Sequence, residues 1–404
     1  MFEEFQNTPV KPVENSKSQA TRKWTVLLVS GVLAGVLGIA LIITGFLLPK
    51  AAGTEADFSA FMISTNGGGV YSNLTGLALE NPADLNAPAY CVQTPNGMDG
   101  ARPQAGLTQA GVVFEAIAEM GITRFAAIYQ KPTSAVIGPI RSLRLYYLKW
   151  DTPFDCTIVH AGGADDALAA VKSGGYKDLS ENYEYMYRGQ SGNRLWNNLF
   201  TTSTDLANFS ANNGYSTSNI EGFNRYTPAE ALRARAEATA DFVLNIVEKA
   251  EGDTSSVSVS APVINLRFGS LPSYNVSYEY NAATNTYARS YENGNAHEVY
   301  ECPAENLGEV DPEKYCSLVQ VSPSVVIAMV VEESKAWDGY HEDITATGSG
   351  KAYIFQNGGA IVGQWEKDST EAQIRFVGDD GHEVKLIPGQ TFISAIPTYG
   401  NVEY

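Results

Sequence analysis

The chain has 404 residues, with 27 Lys/Arg against 45 Asp/Glu and a formal net charge of −18. Residues 1–50 carry five basic and three acidic side chains, which leaves 22 against 42, or −20, for residues 51–404. So acidic a region excludes binding to nucleic acid or to an anionic lipid surface through a general field. The chain's 44% hydrophobic residues and 22 Tyr still supply ordinary cores.

The first predicted element is residues 24–48, a run of twenty-five without a charge. At 1.5 Å rise per residue such a helix crosses the roughly 30 Å hydrocarbon core with length left for tilt. Trp24 suits the headgroup level, and Pro49 and Lys50 close the run. A cleaved signal peptide competes with this reading. Its apolar region would be shorter and would follow a shorter basic start than the 23 residues found here. A buried core helix fits less well still, because the run has no polar face. Lys11, Lys17, Arg22 and Lys23 precede the run and only Lys50 follows it, ahead of Glu55 and Asp57. The positive-inside rule therefore predicts a cytoplasmic tail over 1–23, a single span over 24–48 that sits in the bilayer, and an ectodomain outside. Gly31 and Gly35 form a GxxxG pattern through which two such helices could form a homodimer.

Residues 49–70, ending in Asn66-Gly67-Gly68-Gly69, read as a flexible stalk. The roughly 350 residues outside are enough for two domains. The first, 71–258, starts with a hairpin: strands over 112–119 and 122–129 around a Met120-Gly121 turn. A helix follows over 143–150 with Ser142 as N-cap, stopped by Asp151-Thr152-Pro153. Residues 154–160 form an apolar strand that turns at Ala161-Gly162-Gly163 into a helix over 164–173, ended by Gly174-Gly175. Helices alternating with buried strands indicate an α/β domain with a layered mixed sheet. Residues 201–219 are polar and read as a loop. The clearest helix, 228–251, has Thr227 as cap, Pro228 at N1 and Glu230 completing a capping box. Its apolar stripe runs from Leu232 to Ala250 at spacings of three and four.

From Pro262 the period changes to two. Strands are expected over 263–268, 276–280, 286–291, 325–331, 352–355, 361–365, 374–377, 383–387 and 391–396. Turns such as Asn293-Gly294, Asn357-Gly358-Gly359 and Asp379-Asp380-Gly381 separate them. The second domain, 259–404, is thus mainly antiparallel β.

All four cysteines fall on the outer side, where disulfides persist. Cys302 and Cys316 flank a short loop and are expected to pair. Cys91 and Cys156 lie in apolar runs, where burial as free thiols competes with pairing.

Several blocks in order resemble the YerB-like family of bacterial envelope proteins. They are Thr75-Gly-Leu-Ala-Leu-Glu-Asn-Pro, Ala101-Arg-Pro-Gln-Ala-Gly-Leu, Gly121-Ile-Thr-Arg-Phe, Ile137-Gly-Pro-Ile-Arg-Ser-Leu-Arg and Val159-His-Ala-Gly-Gly. Gly348-Ser-Gly-Lys-Ala-Tyr-Ile-Phe, Gly363-Gln-Trp-Glu-Lys and Leu386-Ile-Pro-Gly-Gln-Thr resemble that family's C-terminal module. The resemblance implies paired modules of unknown function on an envelope protein. Many members look like lipoproteins, whereas this chain offers a transmembrane run. Where the family has Pro-His-Asn-Leu, this chain reads Trp196-Asn197-Asn198-Leu199.

Candidate chemistry follows from an uneven distribution of charge. Residues 102–149 hold Arg102, Arg124, Lys131, Arg141, Arg144 and Lys149 against Glu115 and Glu119, a local balance of +4. Arg141 and Arg144 flank a predicted helix start at Ser142, and His160 with Gly162 and Gly163 marks a second. Two such starts with arginines suit a phosphate, pyrophosphate or carboxylate. The expected site is therefore Arg102, Arg124, Arg141, Ser142, Arg144, His160, Gly162 and Gly163. The competing reading makes these arginines surface charges, or partners of Glu115, Glu119, Asp165 and Asp166. There is also a likeness, in order of elements only, to LytR-CpsA-Psr cell-wall ligases, which hold a lipid pyrophosphate with arginines.

His160 lacks a second histidine at ligand spacing, so no metal is expected, and His297, His341 and His382 sit in polar stretches that read as exposed. Glu115 and Glu119 also read as exposed strand residues. No nucleotide or hydrolase fingerprint occurs, and no cofactor is expected. The sequence thus predicts a membrane-anchored binding protein for a cell-wall or lipid-phosphate ligand. A transferase acting on lipid-linked precursors and a non-catalytic scaffold are the alternatives.

Overall fold

The computed structural model describes residues 69–189, 197–236, 261–269, 271–303 and 312–404. The expected tail, membrane span and GxxxG pair lie outside the described residues, as do most of the stalk and residues 237–251 of the capped helix. Among the described residues no helix is long and apolar enough to cross a membrane.

A ten-stranded mixed sheet forms the centre. In chain order its strands are β1 (Ala89–Pro95), β2 (Val112–Glu119), β3 (Ile122–Gln130), β4 (Thr157–Val159), β5 (Asp178–Leu179), β6 (Val325–Val331), β7 (Gly348–Gln356), β8 (Gly359–Lys367), β9 (Arg375–Gly378) and β10 (Thr391–Pro397). In space the order is β9-β8-β7-β6-β10-β2-β3-β1-β4-β5. The N-terminal strands contribute a mixed half with few helices, and β6 to β9 pair as an antiparallel half. The two halves meet at β10, which lies parallel to both β6 and β2.

The central strands are buried on both faces, which is why β2 is buried from Val112 to Ala118 and reads as an apolar run. On one face α1 (Leu145–Asp151) lays Tyr146, Tyr147 and Trp150 against Phe114, Ala126 and Ile393. On the other, α3 (Ser203–Asn212, after α2 at Asp165–Gly174) packs Leu206 and Phe209 near Val113 and Phe392. A four-stranded sheet of Val263–Arg267, Val276–Asn281, Thr286–Tyr291 and Asn401–Glu403 covers the rest.

The hairpin β2/β3 and the strands at 286–291, 325–331 and 391–396 stand where the periodicity places them, within a residue or two. The capping box forms as written: Glu230 N donates to Thr227 Oγ1, and Thr227 N donates to Glu230 Oε2.

Elsewhere tertiary contacts override local signals. Residues 203–212 are helical, because Thr202 caps them through Asp205 N and their Leu206 and Phe209 find a core. Phe154 ends a short 3-10 turn that starts at Thr152, and Asp155 is left-handed at φ 47°, so β4 is only three residues long. Residues 383–387 form isolated bridges to Val377 and Arg225 in place of a strand.

Both cysteine pairs are disulfides. Cys302–Cys316 closes its short loop as expected, and Cys91–Cys156 ties β1 to the start of β4, so the free-thiol alternative falls.

Glu115 and His297 are fully buried, not exposed. Glu115 Oε2 meets Arg289 Nη2 at 2.7 Å, a buried ion pair joining β2 to the second half of the chain. Arg289 Nη1 donates to His297 Nδ1 at 2.8 Å, so the other ring nitrogen carries the proton toward Gln104 Oε1. Burial, then the charges of Arg289 and Arg102, drive His297 well below the ordinary histidine value, which fits this neutral tautomer.

Candidate functional site

The arginines converge where β2 and β3 end. A register shift between Ile117 and Glu119 releases Glu119 from the regular ladder. Its carboxylate takes Arg124 Nη2 at 2.8 Å on one oxygen and Arg144 Nη2 at 2.5 Å on the other. Burial pulls this carboxyl up, but Arg124 and Arg144 outweigh it and hold Glu119 below the ordinary value. Arg124 Nη1 also donates to Ser142 O at 2.6 Å, and Arg144 Nη1 to Leu143 O at 3.0 Å. Burial and the neighbouring Arg144 charge pull Arg124 down.

The segment carrying Arg141 and Ser142 is extended, not the start of a helix. Arg141 N donates to Gln93 O, Ala161 N to Arg141 O, Leu143 N to Gly162 O and Ala164 N to Leu143 O. These bonds delay α1 to Leu145, put Arg144 at the N-cap position and leave Ser142 without a capping role. They also explain the glycines. Gly162 is left-handed at φ 69°, and a Cβ on Gly163 would lie 3.1 Å from Leu143 O and 3.0 Å from Leu168. The turn is built to approach residues 141–143. His160 fastens it, with Nδ1 2.7 Å from Gly162 O and Nε2 2.9 Å from Asp178 Oδ1.

Arg124, Arg141, Ser142 and Arg144 line one cavity of about 300 Å³. His160, Gly162 and Gly163 stand behind the 141–143 segment and do not line it. Arg102 also sits behind the wall. It donates through Nε to Asn96 O and Oδ1, each at 2.9 Å, and lies 3.8 Å from the centroid of the Tyr291 ring.

Sequence reasoning missed Asp99, Asn197, Tyr340 and His341, which share the lining with Glu119. Asn197 bridges Arg141 and Asp99. Its Oδ1 accepts from Arg141 Nε at 2.8 Å, and its Nδ2 donates to Asp99 Oδ1 at 3.0 Å. Tyr340 and His341 come from a hairpin of Glu333–Lys335 and Glu342–Ile344, more than 200 residues along the chain from Glu119, which His341 meets through an isolated bridge. Only the run of exposed aromatics in Trp337-Asp-Gly-Tyr340 could have marked this hairpin in the sequence.

The three arginines are not equivalent. Arg124 and Arg144 are almost fully buried and spent on Glu119 and backbone carbonyls, so they meet the competing, structural reading halfway. Arg141 is half-buried, and among the described residues its terminal nitrogens make no hydrogen bond or ion pair. Burial lowers its guanidinium from the ordinary value, while Asp99 and Glu119 push back.

A second cavity of about 380 Å³ lies across the same hairpin, between Ile117, Met120 and Phe268 on one side and Glu333, Glu342 and Tyr399 on the other. Burial, with Glu342 beside it, pushes Glu333 up to about 7. Among the described residues no arginine lines it. Among the described residues no three metal-ligating side chains cluster.

Residues 74–216 match the N-terminal domain, and residues 264–393 the C-terminal domain, of a protein of unknown function, DUF3048. YerB of Bacillus subtilis (strain 168), named as a candidate lipoprotein, is 27% identical over 326 residues, 80% of this chain and 85% of the relative. The crystal structure of YerB from Bacillus subtilis aligns with a TM-score of 0.62 at 22% identity, covering 83% of this chain and all of that one. At that identity the likeness speaks to the fold.

Proposed function

This chain belongs to the YerB-like family with its paired N- and C-terminal modules, and from that premise we propose a membrane-held extracytoplasmic protein that binds an anionic envelope ligand. The ligand's phosphate, pyrophosphate or carboxylate sits in the arginine cavity. The observation that carries this reading is Arg141, a half-buried guanidinium with open terminal nitrogens, backed by two arginines that Glu119 holds in place. Each charge-assisted bond to such an anion contributes about 1.5–3 kcal/mol.

Arg141→Ala should therefore weaken binding more than tenfold while barely shifting the melting temperature, since its side chain bonds only Asn197 among the described residues. Calorimetric titration of the full-length protein in detergent, with inorganic pyrophosphate and with a short-chain polyprenyl phosphate, measures this. A wild type that binds neither retires the anion reading. A variant that loses stability but keeps its affinity makes Arg141 structural.

The name of the Bacillus relative supports a place at the membrane, and here residues 24–48 would serve as anchor where a lipid serves elsewhere. Gly31 and Gly35 would allow two such anchors to pair. Both disulfides fit an oxidising compartment. A reporter active only outside the cytoplasm should work when fused after Tyr404, and a cytoplasm-only reporter there should be silent. The reverse pattern would overturn the topology.

A further inference from the structure

We propose that the arginine cavity selects a sugar phosphate, an anion with hydroxyl groups beside its charge, over bare phosphate or a simple alkyl phosphate. This deepens the anion reading of the cavity and rests on it.

The cavity holds a carboxylate that a plain phosphate site would not keep. Both oxygens of Glu119 are occupied by Arg124 and Arg144. Asp99 also lines the cavity and is exposed, yet no arginine pairs with it among the described residues. Its Oδ1 accepts from Asn197 Nδ2, and Oδ2 has no partner there. A like charge beside a bound phosphate costs affinity, so an open Asp99 works against a bare anion. A hydroxyl next to the phosphate reverses the sign, because its proton gives Asp99 the donor it lacks. A site built to hydrogen-bond a hydroxyl also rejects analogues without one, whose binding would leave its polar groups unpaired.

Asn197 makes the arrangement specific. One amide holds Arg141 through its oxygen and Asp99 through its nitrogen, so a donor for phosphate and an acceptor for hydroxyl stand side by side on one frame. The buried amide cannot turn over without breaking both bonds.

The cavity adds an aromatic wall. Tyr340 is 51% exposed and meets the His341 ring edge-on at 4.9 Å. Its turn is braced by Asp338, whose Oδ1 accepts from Tyr340 N and His341 N, each at 2.9 Å. An exposed phenol ring with one apolar face and one polar tip suits the C–H face of a pyranose.

The test titrates full-length protein in detergent with inorganic phosphate, ethyl phosphate and glucose 1-phosphate. The sugar phosphate should bind at least tenfold more tightly than the other two. Asp99→Asn keeps an acceptor for Asn197 but removes the charge, and should narrow that gap by tightening inorganic phosphate and weakening the sugar phosphate. Tyr340→Ala should weaken the sugar phosphate alone. A prenyl tail on the same sugar phosphate separates sources: a large further gain points to a lipid-linked headgroup, and no gain to a free one, with headgroup selection standing in both cases. Equal affinity for phosphate and sugar phosphate overturns the inference and leaves the anion site intact, as does Asp99→Asn tightening both alike. Failure of every probe removes the anion site itself.

Discussion

Replacing Arg289 by methionine should cost the protein about 3–5 kcal/mol of stability, among the largest effects of any single side chain outside the candidate site. The guanidinium is fully buried, bonds Glu115 and His297, and lies 4.8 Å from the centroid of Phe392. Methionine fills much of the volume but leaves Glu115 in the core without its ion-pair partner, held only by the neutral donors Thr123 and Asn96 and the more distant Arg102 charge among the described residues. Burial already raises the Glu115 carboxyl, and Arg289 is the strongest influence opposing that rise. Without Arg289 the value climbs further. A carboxyl whose folded value lies above its unfolded one contributes stability fully below the unfolded value and loses it as pH rises through the folded one. The variant should therefore lie closest to wild type near pH 4 and fall away toward pH 8. Urea midpoints across that range measure this, and a penalty that does not change with pH would show that Glu115 is not the group left stranded.

Removing the Cys91–Cys156 disulfide by double alanine substitution should cost about 4 kcal/mol, because it closes a loop with a sequence separation of 65. The Cys302–Cys316 loop, with a separation of 14, should be worth about 3 kcal/mol. Unfolding the two double variants side by side tests the order. Equal losses, or a larger loss at Cys302–Cys316, would mean that native contacts around β1 and β4 outweigh loop closure. Cys91 and Cys156 are almost fully buried, so reductant should reach that bond only as the protein unfolds.

How much of this was legible in the sequence depends on how local each signal is. The β2/β3 hairpin, the Thr227 capping box and the Cys302–Cys316 loop are local, and they stand as read. Glu115 was misread because strand alternation gives a side chain a face but not a cover. Its cover is Arg289, 174 residues away. His297 was misread for the same reason, since its polar neighbours in sequence say nothing of the Phe125 ring 5.8 Å from its own. Ser142 looked like a cap because the pairing that keeps residues 141–143 extended comes from a turn twenty residues later. At the site, the local excess of arginine pointed to the right stretch, and Arg124, Arg141 and Arg144 do converge. Asp99, Asn197 and Tyr340 arrive from three separate segments, and no spacing rule could have gathered them.

The position of β10 sets the order in which this molecule can be finished. Residues 391–397 lie at the far end of the chain but in the middle of the sheet, between β6 and β2. Arg225 fastens the strand's first residue, donating to Thr391 Oγ1 as well as to Leu74 O and Ile387 O. A chain threaded outward from its N-terminus would emerge with β2 and β6 facing an empty slot, two bare parallel edges waiting for one strand. Until that strand arrives, the buried ion pair between β2 and the later half also lacks a wall, since Phe392 on β10 packs against both Arg289 and Phe125. Strand β10 acts as a keystone. A nascent chain halted short of residue 391 would be a substrate for proteolysis rather than a working fragment.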